Sequence, residues 1–260
     1  MIENAIKEFD PKNYNKKTVI GEFSGRDSVA AILKAFEDED IDYILPVATF
    51  AGTEYGDFNV IYKNYKHLQK RVKDLYGDKK VLYPLIEYSR EDIWALMNGR
   101  LSGELSRKFG FYSPCIGCHL YFHLTKLNFA RPLSGIILSG ERESHDGRIK
   151  VNQLGESLDI YQEVIASFDC QLRMPLRHMD DGHEVESLIG WEWKEGLAHP
   201  DCVLSRNYRS CDGKAVYDKN CLERLLQEYV KPAGVLVGKY IVEDQKADIN
   251  ALKKEVLALI

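Results

Sequence analysis

Apolar residues along this chain alternate between short runs and longer stretches with a helical period. Residues 18–21 are small or β-branched and read as a buried strand. A polar turn follows, Ser24-Gly25-Arg26-Asp27-Ser28, and then a strong helix former, Val29-Ala30-Ala31-Ile32-Leu33-Lys34-Ala35. Residues 41–50 form a second apolar run, in which Pro46 suggests an edge strand or a bulge. Within residues 57–76, Val60, Ile61, Tyr65, Leu68, Val72 and Leu75 recur at spacings of three and four, an amphipathic helix. Residues 81–86 predict a third strand. Ser89-x-x-Asp92 resembles a capping box opening a helix with Ile93, Trp94, Leu96 and Met97, ended by Gly99. A helix over 119–130 and a strand over 135–139 come next. Strand and helix in alternation predict an α/β fold: a doubly wound parallel sheet of about five strands with right-handed crossovers. Ligands of such sheets sit at the carboxyl ends of the strands, where the Ser24 turn falls.

The remainder is less regular. Residues 1–16 read as a polar, weakly helical lead-in. Residues 222–229 suggest a short helix and 235–237 a strand. Residues 244–260 carry Ile249, Leu252, Val256 and Leu259 at helical spacing, which suits a docking helix or the surface of a homodimer.

Composition narrows the function classes. With 260 residues, 45% hydrophobic and 29% charged, the chain can bury a full core as one large domain or one domain with an appendage. The first ten residues interleave charges with every apolar position, unlike a signal peptide, and no run of about 18 apolar residues offers a membrane span, so the expectation is a cytoplasmic protein without membrane contact. A net charge of −5 argues against broad, sequence-independent nucleic-acid binding, although a local basic face is compatible with it. In that compartment, six cysteines point to thiol, metal or cluster chemistry rather than disulfides.

Two motifs carry chemistry. A Gly- and Ser-containing turn at a helix N-terminus presents backbone N–H groups and the positive end of the helix dipole, which favours phosphate. Asp27 fits such a site through Mg²⁺ or a hydrogen bond. The plainer reading is a capped helix, with Ser24 or Asp27 as the cap. The second motif is Pro114-Cys115-Ile116-Gly117-Cys118. Two sulfurs so spaced, just before a helix, suit a metal, a cluster or a redox pair, with thiol pKa values lowered by the helix dipole.

The Ser24 turn resembles the pyrophosphate-binding loop of the PP-loop ATP pyrophosphatases, whose pattern is Ser-Gly-Gly-x-Asp-Ser. Here the loop is one residue and one glycine shorter. The CxxC motif, the helix with Leu127, Asn128 and Ala130, the strand ending at Gly140, the Met174-Pro175-Leu176-Arg177-His178-Met179 segment with the helix after it, and Cys202 follow the order of the tRNA 2-thiolation branch of that superfamily. Gly140 is followed by Glu141-Arg142-Glu143-Ser144 where that branch has Gly-His. This departure resembles the phosphoadenylyl-sulfate reductases and makes Arg142, Arg148 and Lys150 candidate anion contacts.

The resemblance covers residues 18–205. It implies a nucleotide-binding domain over 1–205 with a C-terminal extension over 206–260. It also implies ATP and Mg²⁺ at Ser24, Gly25, Arg26, Asp27 and Ser28, with Thr53, Gly140 and Arg142 beside the nucleotide and Glu54 a further candidate. Asp27, Cys115, Cys118 and Cys202 become the catalytic groups, the three cysteines doubling as ligands of a [4Fe-4S] cluster. A closed zinc site that adds Cys211 is the alternative, while Cys170, Cys221 and His199 stay without a role. The implied reaction adenylates an acceptor oxygen, releases pyrophosphate and then transfers sulfur from a sulfur donor. The acceptor is a tRNA, held through Arg100, Arg107, Lys108 and Arg131, or a small molecule. The alternatives are a reductase-like enzyme and a non-catalytic nucleotide-binding protein with structural zinc.

Overall fold

The computed structural model describes residues 9–193, 199–243 and 248–260. Its centre is β1 (Val19–Glu22), followed by α1 (Arg26–Ala35), which buries Val29, Ala30, Ala31, Ile32, Leu33 and Ala35. Then come β2 (Tyr43–Ala48), the two-residue β3 (Glu54–Tyr55), the long α2 (Asn59–Tyr76), β4 (Val81–Leu82) and β5 (Ile86–Glu87). A helical run follows: α3 (Glu91–Trp94) continuing through a π turn at Ala95–Gly99, α4 (Ser102–Phe109), α5 (Pro114–Leu124) and α6 (Leu127–Ala130). Next are β6 (Ile136–Leu138), α7 (Gly155–Ala166), β7 (Gln171–Arg173), α8 (Gly182–Ile189) and β8 (Asp201–Cys202). The chain closes with α9 (Lys219–Leu225), a π turn at Leu226–Val230, α10 (Lys231–Glu243) and α11 (Ile249–Leu257).

The main sheet has the order β4-β2-β1-β6-β7, with β5 also on β2, and every ladder in it is parallel. This is the α/β, Rossmann-like architecture that the alternation predicts. One face is covered by α1, α2 and α8 through Ile32, Leu33, Leu68, Val72, Val185 and Ile189. The other is covered by α5, α7 and α10 through Leu120, Leu124, Val164, Ile165 and Val237. The segment after residue 205 shares that second core: Leu222, Leu225, Tyr229, Ile241, Leu252 and Val256 are buried in it. No helix among the described residues is long and apolar enough to cross a membrane.

Four expectations are corrected. Pro46 does not mark an edge: β2 lies inside the sheet, with Pro46 opposite Gly21 of β1. The strand expected over 81–86 is instead broken into β4 and β5, which pair with Tyr43-Ile44 and Val47-Ala48 on either side of Pro46. A parallel ladder would have residue 46 donate to the Tyr83 carbonyl, and proline has no N–H to give. The Tyr65 hydroxyl of α2 donates to that oxygen instead, at 2.9 Å. The third correction concerns 235–237, which lie inside α10. Their burial follows Ala233, Val237 and Ile241 at a spacing of four, and tertiary packing overrides local β propensity. Finally, Ser89 caps no helix. Its hydroxyl accepts from the Phe50 N–H at 2.8 Å, tying β2's end to the start of α3. Residues 1–8 and 244–247, parts of the expected lead-in and tail helix, lie outside the described residues.

Replacing Tyr65 by Phe leaves the half-buried Tyr83 carbonyl without this donor. Chemical denaturation of Y65F is expected to give a stability lower by about 1–2 kcal/mol; an unchanged midpoint would show that the Pro46 gap needs no filling.

Candidate functional site

Chain order reverses between β1 and β6, and the crevice of an open α/β sheet lies at that switch point. The turn after β1 enters it. Gly25 is the N-cap of α1, and neither Ser24 nor Asp27 caps the helix with its side chain. The Ser28 hydroxyl braces the turn from within, accepting from the Ser24 N–H at 2.9 Å and donating to the Gly25 carbonyl at 2.8 Å. From across the switch point, the chain leaving β6 closes on this turn. A Cβ on Gly140 would stand 2.5 Å from both the Asp27 carbonyl carbon and the Ser28 nitrogen, so only glycine permits the approach.

The residues after Gly140 go to opposite sides. Arg142 is fully buried and donates to the carbonyls of Met179, at 2.6 Å, and Asp180. Its remaining nitrogen lies 3.4 Å from Asp27 Oδ1. The same carboxylate oxygen accepts from Arg26 Nε at 3.1 Å, and Arg26 reaches Glu186 of α8 at 3.7 Å. Asp27 Oδ2 faces His145 Nδ1 at 3.6 Å. Of the other candidate anion contacts, Arg148 is exposed and pairs with Asp146, whereas Lys150 is half-buried beside Asp27 and Glu141, burial lowering its pKa.

The thiols come from two elements. Pro114 takes the first position of α5, so the CxxC motif lies inside the helix rather than before it, with Cys115 and Cys118 one turn apart. Cys202 is on β8, paired antiparallel with β3 so that it stands opposite Glu54. Trp94 Nε1 donates to Cys118 Sγ at 3.2 Å, Asn207 Nδ2 to Cys115 Sγ at 3.0 Å, and Cys202 Sγ donates to Thr53 Oγ1 at 3.3 Å. Burial pushes both Cys115 and Cys118 thiols up, Cys118 far up, with Cys202 adding to the first and Glu54, Cys115 and Cys202 to the second. The expected lowering by the helix dipole is therefore reversed: desolvation of the thiolate outweighs the dipole. Among the described residues no three His, Cys, Asp or Glu side chains are close enough to hold a metal ion, with or without Cys211.

Loop and thiols are neighbours. His199 packs on Gly25, its ring 3.5 Å from where a Cβ on that glycine would stand. Three peptide units separate it from Cys202, a span of at most about 10–11 Å. Residues 197 and 198 of the same segment lie outside the described residues. Arg100, Arg107, Lys108 and Arg131 are all exposed.

Between loop and thiols runs a buried network that the sequence reading missed. His119 and His123 lie four apart on α5 and share Glu141: His119 Nδ1 is 2.5 Å and His123 Nε2 3.6 Å from its Oε1. His123 Nδ1 meets Glu22 Oε1, at the end of β1, at 2.6 Å. Glu141 Oε2 accepts from Gln153, whose other end meets His145 Nε2 at 2.7 Å. Burial alone would raise the Glu141 pKa, but His119 and His123 bring it down to about 2. Burial would lower His123, and Glu22 and Glu141 raise it instead. Burial and the cationic Lys150 hold His145 well below the ordinary histidine range, with Asp27 opposing. At the end of β2, the ammonium of Lys126, only 1% exposed, donates to Thr49 Oγ1, and burial brings its pKa down to about 8. Glu54, accepting from the Ala51 N–H, is pushed up to about 7 by burial. Of this group the sequence reading names only Glu54 as a candidate, and the i, i+4 pair His119 and His123 is the one further trace of it.

No family model matches the chain. Over 250 residues it is 42% identical to the uncharacterized protein MJ0009 of Methanocaldococcus jannaschii, an alignment that covers 96% of this chain and 86% of that one.

His119 and His123 hold the Glu141 carboxyl at about 2, below the ordinary carboxylate range, so its stabilisation is present above pH ~4.5 and is lost as pH falls toward 2. E141Q is expected to lose on the order of 3 kcal/mol at pH 7 and to show a flatter stability profile between pH ~4.5 and ~2. Denaturant titrations across that range check it; identical acid limbs in the two proteins would contradict it.

Proposed function

We propose that this chain, which belongs to the same family as the Methanocaldococcus jannaschii protein, is an ATP-dependent enzyme of the PP-loop pyrophosphatase kind that adenylates an acceptor oxygen and passes sulfur to the activated position. The observation that carries the reading is the N-terminus of α1 at the switch point, free of a side-chain cap and closed over by Gly140. Backbone N–H groups held there suit a polyphosphate, and they gain strength where charge builds on a leaving pyrophosphate.

In this reading the acceptor oxygen attacks the α-phosphorus. The new P–O bond forms as the bond to the β-phosphate breaks, and pyrophosphate leaves into the Ser24–Ser28 turn. A sulfur nucleophile from an external donor then displaces AMP. Asp27 Oδ1 serves Arg26 and Arg142, which leaves Oδ2 to a divalent ion carried with the nucleotide. A cluster, when bound, would supply an open iron for sulfide. Among the described residues the thiols as arranged form no three-ligand group that fits one. No step is therefore routed through a cluster or zinc. Sulfur handling is assigned to Cys115, Cys118 and Cys202, and acceptor choice, tRNA or small molecule, to the surface beyond. The reductase-like alternative asks Arg142 to grip a sulfate, and its guanidinium is committed to Met179, Asp180 and Asp27.

Equilibrium dialysis with Mg²⁺–ATP tests the reading. The wild-type chain is expected to bind, and Ser28→Ala and Gly140→Ala to bind about tenfold or more weakly, by loss of the braced turn and of the close approach. Pyrophosphate release on adding a tRNA pool or small acceptors separates the enzyme from a nucleotide-binding protein without activity. Equal ATP affinity in all three proteins, or none in the wild type, would overturn the proposal.

A further inference from the structure

His145 lies in the loop after β6 with 5% of its surface exposed, and its protonation pattern can be read from the far end of the buried network. Ionised Glu141 only accepts, taking one hydrogen bond from His119 and one from the Gln153 amide nitrogen. The Gln153 amide therefore presents its oxygen to His145 Nε2, and that nitrogen must be the N–H donor, at 2.7 Å. A neutral ring protonated on Nε2 carries its lone pair on Nδ1. Nδ1 points at Asp27 Oδ2, and at 3.6 Å their separation is longer than the charge-assisted hydrogen bond that a proton on Nδ1 would make. Two acceptors thus face each other across a gap too long for a hydrogen bond, while Asp27 Oδ1 already serves Arg26 and Arg142.

We propose that His145 Nδ1 and Asp27 Oδ2 are half of a binding site for a divalent transition metal, completed by phosphate oxygens of the ligand held at α1. An ion about 2.1 Å from each atom spans the gap with an angle of roughly 120°, acceptable to a four- or five-coordinate ion. The nitrogen ligand favours Mn²⁺, Co²⁺ or Zn²⁺ over Mg²⁺, which prefers oxygen throughout. The far nitrogen of the ring is anchored as metal-bound histidines are, its N–H donated to Gln153, which Glu141 holds in turn. Arg26, Arg142 and Lys150 around Asp27 repel a bare cation. The site consequently fills only when a polyphosphate brings its negative charge. This inference rests on the reading of the Ser24 turn as a polyphosphate site.

The test uses the full chain, Co²⁺ as the metal and inorganic pyrophosphate as the anion, with wild type, His145→Ala and His145→Gln. Glutamine can still reach Gln153 but offers nothing at Nδ1, and thermal unfolding confirms that each variant is folded. Expected are cobalt d–d bands that require pyrophosphate, and Co²⁺ affinity about tenfold or more lower in both variants. Pyrophosphate affinity without metal is measured separately by dialysis and is expected to stay level. Unchanged cobalt affinity in the variants, or a thiolate-to-cobalt charge-transfer band in place of the expected spectrum, overturns the metal site while leaving the loop reading intact. Failure of the wild type to bind pyrophosphate without metal overturns both.

Discussion

The close approach of Gly140 to the backbone of Asp27 and Ser28 is the constraint on which the rest of this site depends. β1 and β6 lie side by side in register, Ile20 against Ile137 and Gly21 against Leu138, so the chain leaving β6 must pass over the N-terminus of α1. With no Cβ at residue 140, it passes in contact. Everything charged then falls into place within two residues. Glu141 turns toward the histidines of α5, and Arg142 turns toward Asp27 and the 179–180 carbonyls. A larger residue at 140 would separate the turn from the network that orients it.

That network is costly to keep. Glu22, His123, Glu141, Lys126 and Arg142 are withdrawn from water, and buried ionic groups of this kind are often no more stabilising than apolar residues of equal volume. Their position at the carboxyl ends of β1, β2 and β6 gives a reason other than stability. Burial pulls Lys126 down to about 8 and pushes Glu54 up to about 7, two groups whose pKa values are brought near neutral pH beyond the carboxyl end of β2. Perturbed groups gathered in a crevice mark functional sites more often than structural ones. The network also spans the distance between the two motifs: His145, which faces Asp27, is hydrogen-bonded through Gln153 and Glu141 to His119, next to Cys118.

The alternation of strand and helix, the turn after β1 and the CxxC motif were legible because each is local. Spacing alone separates α1 from β1, and the Gly-Ser turn between them needs no tertiary information. Pro46 was misread because its compensation, the Tyr65 hydroxyl on the Tyr83 carbonyl, comes from a helix packed over the strand. Residues 235–237 were misread because three apolar residues carry too little period to choose between strand and helix. The thiol pKa direction was missed for a related reason: the helix dipole is visible in sequence, and the burial that outweighs it is not. Glu22, His119, Glu141, His145 and Gln153 are scattered along the chain and meet only once β1, β6 and α5 are assembled.

The polyphosphate proposed here is held by the uncapped amides at the start of α1. Backbone amide NMR of residues 24–29, recorded while inorganic pyrophosphate is added, observes those amides themselves. Large, saturable shifts are expected at Gly25, Arg26, Asp27 and Ser28, with slower hydrogen exchange at the same amides. Shifts confined to surface lysines and arginines elsewhere, with those four amides unmoved, would contradict that placement.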